Sequence, residues 1–360
     1  MRVLVVNAGS SSLKLGVVED GEALAAVDIP APRSTLDEQA LQSELDRLAP
    51  VDAVGHRIVH GGRRFVEPVL VDDEVVAELH ALAELAPLHQ EKSLAALHAV
   101  QAALPGIPAV ACFDTAFHAT LPAAAATYAL PAEWRERWGL RRYGFHGLSH
   151  AYAARRTAEL TGARRIVTCH LGAGASLAAV RDGRSVDTTM GFTPLEGLVM
   201  ATRSGSVDPG LLLWLLEHAG MSATEMAKAL EHDSGLAALA GTADMREVVA
   251  RAWQGDERAG VAFDVYVHRL RLAMAAMAAS LGGLEALTFT GGVGEHSAPV
   301  RAAAIEGLAF LGLEIDVARN DTVSGELEIS SPGAKVRTLV VPAREDLEIA
   351  RGVEAVLSGR

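Results

Sequence analysis

Hydrophobic residues near the N-terminus form two short β-branched runs, at 3–6 and 13–18, with a polar segment between them at 7–12. Such runs predict two strands, and the glycine and serine residues between them predict the turn of a hairpin. A similar unit lies at 166–183, and both units close with an Asp-Gly pair. Two glycine-rich hairpins that open the two halves of one chain indicate a duplicated fold.

Helix signals dominate the second half of the chain. Asp208 followed by Pro209 is typical of an N-cap with proline in the first helical turn, and it predicts a helix that runs to about residue 218. The glycine pair at 282–283 predicts the end of a long apolar helix. Further elements are predicted as helices from about residue 151, from about 261 to 281 and from about 345 to 358, and as a strand over 286–290.

Composition and charge restrict the class of protein. The chain has 360 residues, half of them hydrophobic, which is enough for two domains that each bury a core. The formal net charge of −13 argues against nucleic acid as a partner, because phosphate backbones need a broad basic surface. No apolar run reaches the roughly 18 residues needed to span a bilayer, so we expect no membrane partner.

The opening segment and the cysteines favour a cytoplasmic protein. The first apolar run, at 3–6, is too short for the core of an export signal. Only two cysteines occur, Cys112 and Cys169, so the sequence contains no disulfide framework. Few cysteines are typical of proteins in a reducing compartment.

Three glycine-rich segments, at 7–12, 170–176 and 290–297, are candidates for phosphate binding. Exposed backbone N–H groups in such turns form anion sites, and glycine lets the backbone approach a phosphate closely. The Gly-Lys-Ser/Thr ending of a Walker A motif is missing, which argues against a P-loop nucleotidase. The segment at 290–297 lies too near the C-terminus to open a dinucleotide-binding unit.

Nine stretches of the sequence resemble the acetate kinase family and follow one another in family order. They are 5–14 (VVNAGSSSLK), 54–62 (VGHRIVHGG), 86–89 (APLH), 113–118 (FDTAFH), 141–147 (RRYGFHG), 187–197 (DTTMGFTPLEG), 202–205 (TRSG), 243–246 (ADMR) and 289–295 (FTGGVGE). The resemblance implies an α/β fold of duplicated ribonuclease-H-like (actin-like ATPase) domains with an interdomain active-site cleft.

The resemblance also implies a domain organisation. Residues 1–148, joined by the C-terminal helix 345–360, are expected to form an N-terminal ribonuclease-H-like domain. Residues 149–344 are expected to form the nucleotide-binding and dimerisation domain, so a homodimer is implied. The long apolar helix from about residue 261 is a candidate element of the dimer contact.

The implied activity is the reversible, ATP- and Mg²⁺-dependent phosphorylation of acetate to acetyl phosphate and ADP by direct in-line transfer, with Mn²⁺ as an alternative ion. A carboxylate is already ionised at pH 7, so the acceptor needs no general base. Catalysis then reduces to alignment and charge neutralisation. A propionate or butyrate kinase and a weakly catalytic nucleotide-binding paralogue stay open as alternatives.

The family motifs imply four catalytic residues, which are Arg57, Asp114, His146 and Arg203. The planar fork of arginine pairs with a carboxylate or a phosphoryl group, so Arg57 and Arg203 are expected to act as clamps. His146 is expected to stabilise charge on the phosphoryl oxygens. Asp114 has two interpretations, because it could hold an arginine or a loop, or position Mg²⁺ indirectly.

The motifs also imply a small apolar pocket for the acyl methyl group beside Arg57. Its residues are Val59, Leu88, Phe145 and Pro194. A tight pocket separates chains that differ by one methylene by only about 10–200-fold, so propionate is expected as a secondary substrate.

Asn7 and Glu345 are the expected metal ligands, because Mg²⁺ takes hard oxygen donors and needs few of them from the protein. The residues that the resemblance places at the nucleotide are Lys14, His170, Gly172, Ala173, Gly174, Asp244, Arg246, Gly291, Gly292 and Gly294. Ala173 and Ala175 replace polar residues that are usual in the second phosphate loop. The sequence leaves open whether backbone N–H groups alone cradle the phosphates there.

Overall fold

The computed structural model describes residues 1–9, 12–30, 37–82 and 87–359, without the side chains of residues 38 and 87–89. One sheet contains β1 (Arg2–Ala8), β2 (Ser12–Glu19), β3 (Glu22–Pro30), β4 (Ala53–Ile58), β5 (Val69–Leu70) and β6 (Ala109–Phe113). A second sheet contains β7 (Arg165–Leu171), β8 (Ala175–Arg181), β9 (Arg184–Thr188), β10 (Ala286–Thr290), β11 (Leu327–Glu328) and β12 (Arg337–Val340).

Helices connect and cover these strands. In chain order they are α1 (Glu38–Leu48), α2 (Asp73–Ala81), α3 (Pro87–Ala103), α4 (Ala123–Ala126), α5 (Ala132–Trp138), α6 (Gly147–Thr161), α7 (Pro209–His218), α8 (Ala223–His232), α9 (Gly235–Ala240), α10 (Met245–Trp253), α11 (Glu257–Leu281), α12 (Gly291–His296), α13 (Ala298–Glu306), α14 (Val317–Thr322) and α15 (Glu345–Leu357).

The two sheets repeat one topology, which confirms the predicted duplication and the α/β fold class. Within the described ranges the first sheet has the order β3-β2-β1-β4-β6-β5, and the second has β9-β8-β7-β10-β12-β11. In each, an antiparallel three-stranded meander joins two parallel strands and an antiparallel edge strand. The repetition extends to the hairpin turns, where Asp20 and Asp182 both have φ 51°.

The described chain divides into two compact units. The first contains residues 1–119, 145–152 and 344–360, and the second contains residues 120–144 and 153–343. The C-terminal helix α15 thus falls in the first unit, and the segment 120–144 falls in the second. The domain boundary at 148/149 stays a prediction.

The core of the first unit lies on both faces of its sheet. One face packs Leu4, Val6 and other strand residues against α1 and α3, while the other packs Val3 and Val5 against α15 through Ile349 and its neighbours. Adjacent residues of β1 are therefore buried on opposite sides. A parallel strand buried on both faces reads as a continuous apolar run, which is why the sequence at 3–6 shows no alternation.

The predicted elements correspond closely to the observed ones, with one error. Asp208 accepts a hydrogen bond from the Gly210 N–H and caps α7, as predicted. The helices predicted from about 151 and 261 begin earlier, at Gly147 and Glu257. The turn predicted over 290–297 is wrong, because residues 291–296 form the helix α12.

No helix in the described part of the chain is long and apolar enough to cross a membrane. Cys112 and Cys169 are both buried free thiols.

Candidate active-site residues

Three predicted site residues meet at one edge of the first sheet. Asn7 lies near the end of β1, Arg57 near the end of β4, and Asp114 directly after β6. These strands run parallel, so their carboxyl ends lie at the same edge. Arg57 donates from Nε to both Asp114 oxygens at 3.2 and 3.1 Å, from Nη2 to Oδ2 at 2.5 Å, and from Nη1 to Asn7 Oδ1 at 3.1 Å.

Glu345 extends this network. It is the first residue of α15, and its Oε2 accepts a hydrogen bond of 3.0 Å from Asn7 Nδ2. The amide of Asn7 therefore links the carboxylate of Glu345 to the guanidinium of Arg57. Asp114 accepts hydrogen bonds from Arg57, which is the contact that its first interpretation requires.

Burial and charge act in opposite directions on the central pair. Burial lowers the pKa of Arg57, but the charges of Asp114 and Glu345 outweigh that effect and raise it above its ordinary value. Burial raises the pKa of Asp114, against the opposing influence of Arg57. The result is a cation whose orientation is fixed by a buried carboxylate.

The donors near Glu345 suit a hard cation that keeps most of its own ligands. Among the described residues, no group of three or more His, Cys, Asp and Glu side chains is arranged to hold a metal. Glu345 and the amide oxygen of Asn7 are oxygen donors, although the latter already accepts from Arg57. Mg²⁺ binds through one or two carboxylates plus phosphates and waters, so this donor set fits it.

His146 occupies a strained backbone position in the first unit. Its φ is 56°, in the left-handed region that non-glycine residues seldom adopt and that costs roughly 1–3 kcal/mol. The next residue, Gly147, donates its N–H to the Asp114 carbonyl at 2.9 Å, and a side chain at this position would clash with that carbonyl. The backbone of the His146 turn is therefore tied to the backbone of Asp114.

The predicted apolar pocket residues differ in burial and in the unit that carries them. Val59 and Phe145 are buried in the first unit, and the ring of His60 lies 5.7 Å from the ring of Phe145. Pro194 is half-buried in the second unit. Leu88 falls in the first turns of α3, but its side chain lies outside the described residues.

Two predicted nucleotide segments lie side by side at one edge of the second sheet. His170, near the end of β7, is the register partner of Thr290 at the end of the parallel strand β10. The turn after β7 closes with a 2.9 Å bond from the Gly172 N–H to the Gly174 carbonyl. A Cβ on Gly291, at the start of α12, would lie 2.8 Å from the Leu171 carbonyl. The close approach of these segments therefore requires glycine at 291.

The two alanines of the second phosphate loop differ in environment. Ala173 is exposed at the tip of the turn, and its carbonyl accepts from the Ala201 N–H at 3.1 Å. Ala175 is fully buried. A polar side chain at 173 would therefore reach solvent or a ligand, whereas one at 175 would need a partner inside the protein.

Sequence reasoning missed two residues that shape α12. Glu295 Oε1 accepts from the N–H groups of Gly291 at 2.8 Å and of Ala343 at 2.9 Å. The buried Arg301 donates to the carbonyls of Gly294 and Glu295, both at 2.9 Å. These bonds compensate the low helix propensity of glycine. Glu295 adjoins the glycine motif and could have been suspected, but nothing in the sequence marks Arg301.

Of the other predicted nucleotide residues, Lys14 and Arg246 are exposed and Asp244 is half-buried. Asp244 caps α10 by accepting from the Arg246 N–H, and Arg246 Nη2 pairs with it at 2.6 Å. The side-chain bond from Arg246 lowers the pKa of Asp244 to about 2. Lys14, on β2, is the register partner of Asn7 in the first unit. Arg203 lies in the second unit, where burial lowers its pKa against the opposing charge of Glu231.

The duplicated fold places polar and glycine-rich segments at the carboxyl edges of both sheets, an arrangement suited to phosphate binding. The acetokinase family model matches residues 22–351. The chain is 45% identical to the acetate kinase of Streptomyces avermitilis over 99% of this chain and 97% of that relative. The chain therefore belongs to the acetokinase family and is a kinase, which confirms the resemblance seen in the sequence.

Solved structures agree with this assignment. A crystal structure of Porphyromonas gingivalis acetate kinase has a TM-score of 0.90 and 36% identity over 99% of each chain. A propionate kinase from Francisella tularensis has the same TM-score with 35% identity over 98% of each chain.

Proposed function

We propose that this kinase transfers the γ-phosphoryl group of ATP to acetate, reversibly, to give acetyl phosphate and ADP. The observation that carries the proposal is the network of Asn7, Arg57, Asp114 and Glu345, because it holds one arginine in a fixed orientation between carboxylates. The choice of acetate as the acceptor acid rests on related proteins that are named acetate kinases.

Arg57 is proposed to bind the acetate carboxylate or the phosphoryl group during its transfer. Asp114 holds it through Nε and Nη2, so thermal motion of the guanidinium is restricted before substrate binds. A preoriented cation costs no reorganisation when charge develops in the transition state. Arg203 is proposed as the second clamp, and His146 as a further stabiliser of phosphoryl charge.

Asn7 and Glu345 are proposed to hold a Mg²⁺ ion. When bound, such an ion neutralises charge on the phosphates of the nucleotide. Glu345 supplies the carboxylate, and Asn7 orients it through the 3.0 Å bond from Nδ2. The role of these two residues is therefore to hold the oxygen donors in position for the ion.

The nucleotide is proposed to bind through the backbone of the turn at 172–174 and the start of α12. Glu295 fixes the latter segment by accepting from the Gly291 N–H. His170 and Lys14 would add charge to the phosphates, and Asp244 with Arg246 would lie towards the nucleoside. Exposed N–H groups in glycine-rich turns are suited to this task.

A hydroxylamine-trapping assay tests the activity. Purified protein is supplied with ATP, Mg²⁺ and acetate, propionate or butyrate, and the acyl phosphate is measured as its hydroxamate. We expect acetate to have the highest kcat/KM, with propionate lower by about 10–200-fold. Higher kcat/KM with propionate would select the second candidate, which the Francisella structure favours. Absence of any hydroxamate would refute both.

We further propose a cytosolic homodimer. The helix α7 exposes Leu211, Leu213 and Trp214, whereas α11, which the sequence suggested for the contact, buries most of its apolar side chains within its own unit. Several large apolar side chains exposed on one helix are typical of an interface, so α7 is the proposed contact. Trp214→Glu should produce monomers in sedimentation, whereas Trp253→Glu, at another exposed tryptophan, should not.

A further inference from the structure

We propose that Glu196, Tyr128 and Arg142 are positioning residues that fix the segment 189–196 and thereby set selectivity for the acyl substrate. The segment carries Pro194, and the inference rests on the proposed function together with the expected place of Pro194 in the acyl pocket. All of these residues lie in the second unit. None of the three positioning residues was singled out by the sequence.

The carboxylate of Glu196 is held at both oxygens. The Tyr128 hydroxyl donates to Oε2 at 2.5 Å, and Arg142 Nη2 donates to Oε1 at 2.6 Å. The side chains of Arg142 and Glu196 are 17% and 35% exposed, so water competes for these bonds only in part. Charge-assisted bonds of this length are about twice as strong as neutral ones.

The same side chains reach the backbone of the segment. Arg142 Nη1 donates to the carbonyls of Thr189 at 3.1 Å and Met190 at 3.0 Å. The Phe192 N–H donates to the Tyr128 hydroxyl oxygen at 2.8 Å. The backbone is therefore fastened on the N-terminal side of Pro194, and Glu196 is fastened on its C-terminal side.

Gly191 shows how closely the network and the backbone approach. A Cβ at this position would clash with the Glu196 carboxylate and the Tyr128 hydroxyl. The Gly191 carbonyl also accepts from the Tyr143 N–H at 3.0 Å. A glycine is therefore needed for the carboxylate to lie directly against the segment.

A cavity of about 310 Å³ lies behind this segment. It is lined by Tyr128, Leu130, Leu140, Phe192, Thr193 and Glu196. Phe192, Thr193 and Glu196 border this cavity, so side-chain packing is incomplete on that side and the polar network supplies part of the restraint. Without Glu196 the segment is free to move towards the cavity. Pro194, which is expected to line the acyl pocket, then moves with the segment.

This placement predicts a specific kinetic signature. Movement of Pro194 alters the fit of the acyl chain, so KM for the acid and the ratio of acetate to propionate kcat/KM should change. The nucleotide turn at 172–174 has no bond to Glu196 or Tyr128 among those described, so KM for ATP should stay unchanged. Loss of general stability would not separate the two constants in this way.

The test compares Glu196→Ala and Tyr128→Phe with the control Glu326→Ala. Glu326 accepts from Arg156 at 2.7 and 2.9 Å and is 28% exposed, so it matches Glu196 in partner and burial but has no described bond to the segment. We expect KM for acetate to rise about tenfold in Glu196→Ala and about two- to tenfold in Tyr128→Phe. The acetate-to-propionate ratio should fall by about threefold or more in both variants.

The outcomes separate this proposal from the proposed function. If the wild-type protein makes no acyl hydroxamate, the proposed function fails first. If the wild type is active but both variants match Glu326→Ala in KM for acetate and in selectivity, the positioning role is wrong. If Glu196→Ala does not fold, Tyr128→Phe decides alone, because it removes only one hydroxyl. Equal rises in KM for acetate and ATP would also overturn the proposal.

Discussion

Removal of the Asp114 carboxylate should destabilise the protein and release Arg57. Asp114 is 1% exposed and Arg57 is 16% exposed, and three of the bonds between them are lost in Asp114→Ala. Breaking a buried ion pair by removing one partner costs about 3–5 kcal/mol, because the remaining charge keeps its desolvation penalty. The partial exposure of Arg57 favours the lower limit, about 3 kcal/mol.

The loss is measurable by thermal unfolding. A chain of 360 residues has an unfolding entropy of roughly 0.76 kcal/mol/K, so about 3 kcal/mol lowers Tm by about 4 °C. The double variant Arg57→Ala/Asp114→Ala removes both charges of the buried pair, so it should be more stable than Asp114→Ala alone. Its kcat/KM should equal that of Arg57→Ala, because Asp114 acts through Arg57.

Glu44→Ala is the control for this experiment. Glu44 pairs with Arg47 at 2.8 Å on an exposed helix face, where such pairs contribute at most about 1 kcal/mol. If Asp114→Ala loses no more stability than Glu44→Ala, the buried pair has no special role. A loss in the double variant equal to the sum of the single losses would also contradict the coupling.

Three further predictions concern catalysis, nucleotide affinity and pH. Arg57→Ala and Arg203→Ala should each lower kcat by about 10³-fold in the hydroxamate assay, and retention of a tenth of kcat/KM by both would show that they are not clamps. Ala173→Asn should lower KM for ATP by about two- to twelvefold with KM for acetate unchanged, if side chains assist the backbone there; no change in either constant would favour the backbone alone. Burial lowers the pKa of His56 to about 3 in the folded protein, whereas its pKa is near 6.5 in the unfolded chain. As the pH falls, His56 therefore binds a proton in the unfolded chain before it does so in the folded protein. The contribution of His56 to the free energy of unfolding should therefore be complete above pH 6.5 and fall by about 1.4 kcal/mol per pH unit below it, and His56→Leu should show a flatter dependence in urea titrations.

Local patterns in the sequence determined most of the secondary structure and the duplicated topology. The apolar runs at 3–6 and 13–18, and their counterparts at 166–180, specify the same hairpin twice because β-branched runs and Asp-Gly turns act over a few residues. Asp208 and Pro209 fixed the start of α7 for the same reason. The family motifs then marked Asn7, Arg57 and the other candidate residues without any knowledge of their contacts.

Only the tertiary structure decided which of these residues interact. Arg57 and Asp114 are 57 positions apart, and Asn7 and Glu345 are 338 apart, so no local signal could pair them. Parallel strand pairing brings the first pair to one sheet edge. Two glycine-rich segments with similar sequence character became a turn at 172–174 and a helix at 291–296, where bonds from the side chains of Glu295 and Arg301 offset the weak helix propensity of glycine. Burial depends on what packs from elsewhere in the chain, and for that reason the sequence alone did not reveal the roles of Arg301 and Glu196.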